Sequence, residues 1–280
     1  MNRAEKFEYL KNSIAAKERI IVAYSGGVDS SLLATVAHDV LGEDALAVIL
    51  DCQTMPRREL EHAKDLAELL GLNYRVAEFP ILKEGQFCGN PANRCYICKK
   101  RSAAILKSIA REEGISCIAD GLNLSDYDDY RPGIAACDEE GIWHPFVDAA
   151  ITKEDIRALA KGLGLPVWNK PSAACLASRI PYGQLITPDG LRMVEEAEQY
   201  LMSLGFLALR VRCHGRLARI ELPVQDMARA VICREQVASK LRAIGFDYVA
   251  LDLEGFRSGS MDESLKKDGL AKGTLWTSRR

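Results

Sequence analysis

The chain has 280 residues, 48% of them hydrophobic, which is enough for one large core or two smaller ones. Lys plus Arg number 37 against 39 Asp plus Glu, a net charge of −2 that gives no reason for bulk nucleic-acid binding, although a local basic patch stays open. No uninterrupted apolar run approaches a membrane span, and residues 1–11 carry charges throughout without a signal-peptide core, so a cytoplasmic protein with no membrane partner is expected.

The periodicity predicts a helix over residues 3–17, with Phe7, Leu10 and Ile14 on one face. An apolar run at 19–23 then reads as a buried strand, and 31–41 as a helix. Between them lies Ser25-Gly26-Gly27-Val28-Asp29-Ser30-Ser31. A helix start leaves backbone N–H groups unpaired and carries partial positive charge, which suits a phosphate. Gly26 and Gly27 are expected to permit positive φ and close approach to an anion, and Ser25, Ser30 and Ser31 to add hydroxyl donors. The spacing is neither G-x-x-x-x-G-K-[ST] nor G-x-G-x-x-G. The bland alternative is a glycine-rich turn with no ligand. S-G-G-x-D-S resembles the PP-loop of the ATP pyrophosphatase superfamily, whose members cleave ATP between the α- and β-phosphates and adenylate a substrate.

Residues 45–50 form a second strand-length apolar run that ends at Asp51, and 57–70 a helix stopped by Gly71. Residues 74–79 alternate as a third strand, 95–112 carry a helix, 115–119 a fourth strand, and 153–161 a helix capped near Thr152. Strands alternating with helices imply a parallel sheet covered on both faces, with ligands beyond the carboxyl ends of the strands. The loops at 25–30, 51–56, 80–98 and 120–130 are therefore expected to line the cleft. Asp126, Asp128 and Asp129 read either as Mg²⁺ ligands or as a solvated acidic loop, with the loop preferred. By resemblance to the superfamily, Asp51 contacts the adenosine of ATP, Gly121 and Asn123 form a second nucleotide-side loop, and Asp29 has a catalytic role. The implied fold is α/β, a parallel-sheet (adenine nucleotide alpha hydrolase-like) domain at 1–180.

The composition shifts after Tyr182. A helix over 190–204, an alternating pair at 206–213 and 217–222 around His214-Gly215-Arg216, a helix over 224–244 and a strand at 248–253 describe a smaller α/β domain at 181–263. Residues 264–280 read as a loose tail. Arg210 and Arg212 share one strand face, and two guanidinium groups there suit a phosphate; the plain alternative is a solvated cationic face.

The nine cysteines are odd in number and do not read as a disulfide framework. Cys52, Cys117, Cys213 and Cys233 are expected in the core. Asn93-Arg94-Cys95-Tyr96-Ile97-Cys98-Lys99 holds a C-x-x-C at a loop-to-helix junction, with Arg94, Lys99 and Lys100 expected to favour the thiolates. Half a zinc site, an iron–sulfur ligand pair, a redox dithiol and inert core cysteines all stay open. Lys170-Pro171-Ser172-Ala173-Ala174-Cys175-Leu176-Ala177-Ser178-Arg179 reads as a structured loop, with Lys170 and Arg179 favouring the Cys175 thiolate or, alternatively, as a linker with a structural cysteine.

In order, S-G-G-V-D-S-S, N-R-C-Y-x-C-K and K-P-S-A-A-C-L-A-S-R-I-P-Y-G resemble the LarE-type sulfur transferases, and the match extends to about residue 260. The resemblance implies ATP and Mg²⁺, adenylation of a carboxylate of pyridinium-3,5-biscarboxylic acid mononucleotide, and replacement of its oxygen by sulfur. Two rounds supply the nickel-pincer cofactor. It places Cys175 at the sulfur-bearing position, Arg210, Arg212, Glu221 and Arg257 in segments that bind the substrate phosphate, and the chain in a homo-oligomer. One style of the family sacrifices the sulfur of a lone cysteine, which becomes dehydroalanine. The other holds a [4Fe–4S] cluster on three cysteines, and Cys95, Cys98 and Cys175 resemble that second set. A tRNA thiolase, NAD⁺ or GMP synthetase, and a non-catalytic nucleotide-binding iron–sulfur module are the competing readings. The first lacks a basic RNA-binding domain here, and the synthetases leave Cys175 without a role.

Overall fold

A computed structural model describes residues 1–128, 132–171 and 174–257. Asp129, the side chain of Asp128 and the tail at 264–280 lie outside the described residues. The chain forms two compact units. Met1–Ile81 and Cys95–Ala173 make the first; Leu82–Arg94 and the described residues from Ala174 onward make the second. Residues 82–94 and 174–180 thus fall with the second unit rather than ahead of a boundary at residue 180.

The first unit runs α1 (Arg3–Ala15), β1 (Ile20–Tyr24), α2 (Val28–Leu41), β2 (Ala45–Cys52), α3 (Arg57–Leu69) and β3 (Tyr74–Phe79). After α4 (Gly85–Cys88), which belongs to the second unit, come α5 (Arg94–Glu113), β4 (Cys117–Ala119), α6 (Pro132–Glu139), α7 (Pro145–Asp148) and α8 (Lys153–Gly162). The four strands form one parallel sheet in the order β3-β2-β1-β4, with Ile20 opposite both Ala45 and Cys117. Alternation within the strands feeds two apolar layers. Ile20, Val22, Tyr24, Ala47 and Ile49 pack with α1, α2, α3 and α8, whereas Ile21, Leu46 and Val48 pack with α5. Burial on both faces is why β1 and β2 read as nearly continuous apolar runs.

The second unit runs α9 (Pro188–Ser203), β5 (Arg210–His214), β6 (Leu217–Glu221), α10 (Val224–Ile232), α11 (Arg234–Ile244) and β7 (Tyr248–Leu251). β5 and β6 pair antiparallel through a turn at Gly215 (φ 63°), and β7 adds parallel to β6. The helix expected over 224–244 is two helices. Cys233, at φ −92° and ψ 18°, closes α10 and opens α11. Of the four expected core cysteines, Cys52 and Cys213 are buried, while Cys117 and Cys233 are only partly so. Among the described residues, no helix is long and apolar enough to cross a membrane.

Candidate active site

β1 ends at Tyr24 and α2 starts at Val28, so Ser25-Gly26-Gly27 makes the turn between them. Gly26 sits at φ 68°, and a Cβ there would lie 2.8 Å from Ala63 of α3, so glycine is required twice over. Gly27 corrects the expectation for it: its φ is −82°, and a Cβ there would meet only Ser25 Oγ, at 3.5 Å. Gly27 is the N-cap of α2 and supplies no side-chain cap, whereas Asn2, Thr152 and Thr187 cap α1, α8 and α9. The first N–H groups of α2 therefore keep their capacity for an outside anion. Ser30 Oγ accepts from Ser25 N (3.1 Å), donates to Gly27 O (3.2 Å) and pairs with Ser25 Oγ (3.1 Å), closing the turn on itself. Ser31 is not at the mouth of the loop; it is fully buried beside Tyr24.

The strand order reverses beside β1, with β2 and β3 on one side and β4 on the other. Ligands of open parallel sheets bind outside such a reversal. The loop after β4 reaches it: a Cβ on Gly121 would lie 3.0 Å from Ser30 N, and Asn123 Nδ2 donates to Asp29 Oδ1 at 3.4 Å. Lys153, at the start of α8, donates to Asp29 Oδ2 at 2.5 Å. Asp126 accepts from Asn123 N (3.0 Å) and Nδ2 (2.8 Å), so it braces the loop after β4 instead of standing as a solvated acid. Asp51, near the end of β2, is held by Arg57 (2.5 Å), whose other nitrogen donates to Cys52 O.

Cys95 and Cys98 lie within the first five residues of α5, three residues apart and so on one helix face. Cys95 is exposed and Cys98 partly buried. The expected cationic surroundings need correction. Lys100 is engaged by Glu139 and Glu140, both at 2.7 Å, and Arg94 donates to Asn90. Lys99 is the cation whose electrostatic partners include both cysteines. Cys175 is exposed and opens the short turn Leu176–Arg179. Its carbonyl accepts from Ser178 Oγ (2.7 Å) and Arg179 Nη1 (3.1 Å). Neither cation near Cys175 is uncommitted, since Lys170 pairs with Glu59 at 2.8 Å and Arg179 is bidentate on Glu198 at 2.9 Å. Among the described residues, no three His, Cys, Asp or Glu side chains gather into a metal-holding group.

In the second unit, buried Arg212 makes two 2.8 Å bonds to Glu221 and a 2.7 Å bond to Ser178 O. Arg219 adds a 3.0 Å bond to the same fully buried Glu221. Arg210 lies over the Phe256 ring (5.1 Å) and donates to Leu209 O; among the described residues it makes no ion pair with a carboxylate. Burial, followed by repulsion from Arg179 and Arg212, pushes the Arg210 pKa down to about 10. Glu198 and Glu221 also act on it and raise the pKa, less strongly than burial lowers it. Arg257 pairs with Glu254 at 2.7 Å.

Comparison with known proteins decides the family. A family model described as NAD synthase matches residues 3–85, the stretch from α1 through β3. Pyridinium-3,5-bisthiocarboxylic acid mononucleotide synthase from Lactiplantibacillus plantarum is 40% identical over 255 residues, covering 91% of this chain and 92% of the relative. The chain belongs to the LarE-type sulfur transferase family. An uncharacterized Synechocystis protein is 39% identical over 264 residues, 94% of this chain and 98% of its own. A glutamine-hydrolyzing GMP synthase component from Methanococcus maripaludis is 29% identical over 176 residues, 58% of this chain and 55% of the relative. A LarE-type chain is a PP-loop enzyme, and the wider superfamily shares only part of its length.

Within this LarE-type chain the structure brings Ser25, Gly26, Gly27, Asp29, Ser30, Gly121 and Asn123 together in the first unit, with Asp51 at the end of the adjacent strand. Arg210, Arg212 and Glu221 come together in the second. Lys153 escaped the sequence reading. Its signal was a cation at the first position of a helix, where the helix dipole disfavours one.

Proposed function

We propose that this chain adenylates a carboxylate of pyridinium-3,5-biscarboxylic acid mononucleotide with ATP and replaces the carboxylate oxygen with sulfur. The observation that carries the reading is the uncapped start of α2, set at the strand reversal between Gly26, Gly27 and Gly121. Support comes from the 40% identity to a relative named for the thiolated product.

The substrate carboxylate oxygen attacks the α-phosphorus of ATP, the α–β bridging P–O bond breaks, and pyrophosphate leaves. The open N–H groups of α2 receive its charge, and Lys153 moves between Asp29 and the phosphates. Asp29, the carboxylate beside the loop, is the residue that would hold Mg²⁺; this ion needs only one or two protein carboxylates beside phosphate oxygens. A sulfur nucleophile then attacks the acyl carbon, the C–O bond to AMP breaks, and AMP leaves with the electron pair. Cys175 carries that sulfur. Arg210 and Arg212 take the substrate phosphate, with Glu221 orienting Arg212 and with Arg257 adjoining Phe256, whose ring Arg210 covers. In domain terms, the first unit activates and the second carries the sulfur.

Two sources of sulfur fit Cys175. In self-sacrifice its Sγ forms the thioester, a base removes the Cα proton, and the Cβ–S bond breaks to leave dehydroalanine and the thiocarboxylate. The alternative uses Cys95, Cys98 and Cys175, all outside any disulfide, as a donor set for a [4Fe–4S] cluster. Three thiolates leave one iron without a protein ligand, and the cluster would supply a carrier for an extra sulfide. The three-cysteine sequence set favours the cluster, although the described residues show no group of three such side chains gathered for a metal. Protein purified without oxygen should contain about four irons per chain; iron-free protein that loses the mass of H₂S on turnover would reverse the choice.

The deciding test is pyrophosphate release that depends on the pyridinium mononucleotide dicarboxylate and not on tRNA. In Cys175→Ala, release should persist while thiocarboxylate formation disappears. Retained thiocarboxylate would refute the role of Cys175. A homo-oligomer belongs to the same reading, and α10 leaves Val224, Val231 and Ile232 exposed as apolar surface for one.

A further inference from the structure

The chain enters the second unit twice. Residues 82–94 form a strap that leaves the first unit after Ile81 and returns to it at Cys95; the second entry is just ahead of Cys175. One residue organises the strap. Asn90 is fully buried and sits at φ 52°, a conformation that non-glycine residues seldom adopt. Its Nδ2 donates to Ile180 O (3.0 Å) and Pro181 O (2.7 Å), and its carbonyl accepts from Gly183 N (3.0 Å). Its Oδ1 accepts from Arg94 Nη1 (3.1 Å), and the buried Arg94 guanidinium lies over the Tyr182 ring at 4.3 Å. Ile186 N donates to Cys88 O (2.8 Å), fastening the same two stretches again.

Phe87, buried in the strap, contributes apolar packing. A buried amide with both donors and its acceptor used, at a strained φ, contributes something different: one allowed register. That register has two ends. Residues 180–183 follow directly on the Leu176–Arg179 turn that Cys175 opens, and Arg94 is joined by one peptide bond to Cys95.

We propose that Asn90 is a positioning residue for sulfur transfer, acting with Arg94 and Tyr182. It fixes the backbone that follows Cys175 and ties it to the residue that precedes Cys95. The proposal rests on the reading that sulfur passes through Cys175. It assigns Asn90 no part in adenylation and no contact with substrate.

The test uses full-length Asn90→Gly, because glycine accepts the positive φ and loses only the side-chain bonds. Thiocarboxylate formed per pyrophosphate released is measured with the pyridinium mononucleotide dicarboxylate and ATP. The ratio should fall about tenfold or more, in the range that small misplacements of reacting groups cost, while pyrophosphate release stays within about twofold of wild type. An unchanged ratio overturns the proposal, and so does a parallel loss of both activities, which marks a merely structural residue. Arg94→Gln, which removes one bond from the network and the ring contact, must lower the ratio in the same sense, and it decides the matter if Asn90→Gly does not fold. Cys175→Ala is run alongside. If it still forms thiocarboxylate, the reading beneath the proposal has failed. If it forms none while Asn90→Gly keeps the wild-type ratio, only the positioning role has failed.

Discussion

Asp29 and Lys153 are separated by 124 positions in the chain and touch at 2.5 Å. Both side chains are more than a quarter exposed, so the pair contributes only about 0–1 kcal/mol to stability. Its value lies in where it stands, beside a helix start with N–H groups to spare. Lys153→Met should therefore leave the melting temperature nearly unchanged and lower the rate of pyrophosphate release by about 10²-fold, the scale of losing one preorganised charge at a reacting phosphate. A second contrast separates the two glycines. Gly26→Ala meets both a positive φ and Ala63 at 2.8 Å, and should destabilise the fold by about 1–2 kcal/mol or more on denaturant unfolding. Gly27→Ala meets neither, and should fold normally while binding ATP more weakly in calorimetry. The motif at residues 25–31 was legible in the sequence because its residues are contiguous. Lys153 was not, since nothing local says which strand end a helix start will face.

At the scale of elements, β4 does more than complete the sheet. Trp143 bridges to Ala119, which brings His144 beside Asp120, the first residue after the strand. His144 Nδ1 is 2.7 Å from the Asp120 carboxylate, and its Nε2 is 3.3 Å from Asp138; Lys99 lies 3.9 Å from Asp120 on the other side. Burial alone would lower the His144 pKa, but the hydrogen bond and charge of Asp120, with Asp138, outweigh it and hold the pKa above the usual histidine value. Burial likewise opposes ionisation of Asp120, and its bond to His144 and the charge of Lys99 overcome that and hold it below the carboxylate range. For the raised histidine, the stabilisation is complete below about pH 6.5 and fades as pH rises through the folded-state pKa. For the depressed carboxylate, it is complete above about pH 3.8 and is lost as pH falls through its folded-state pKa. His144→Gln should therefore cost more stability near about pH 5.5 than at about pH 8.5, measured as the difference in urea midpoint from wild type. This pair was invisible in the sequence, where residues 132–148 have no period long enough to read. Strands β1 to β3 and helices α3 and α8 were legible because their apolar spacing runs over whole elements. The break at Cys233 was missed because neither proline nor glycine marks it.

At the scale of the molecule, the notable fact is that one linear sequence supplies two units by crossing between them at 81–82, 94–95 and 173–174. A composition shift near residue 180 announced the second unit, but the strap at 82–94 carries no such shift, because its assignment depends on the bonds of Asn90 and not on local preference. Two compact units need not unfold together. ATP at a hundred times its dissociation constant should stabilise the first unit by about 2.7 kcal/mol and raise its calorimetric transition. An inorganic phosphate titration should instead act on the unit that holds Arg210.

The bare start of α2 has a consequence for how this protein is finished. Asn2, Thr152 and Thr187 close the first turns of α1, α8 and α9 with a side chain, while α3, α10 and α11 start without one, as α2 does; what sets α2 apart is its place at the strand reversal, with Gly121 against its first turn. On the proposed reading a phosphate of ATP would close the first turn of α2, so the nucleotide would complete the architecture as well as enter the reaction. The closing piece is then the very group that the chemistry expels. On that reading, each release of pyrophosphate would return the first N–H groups of α2 to water.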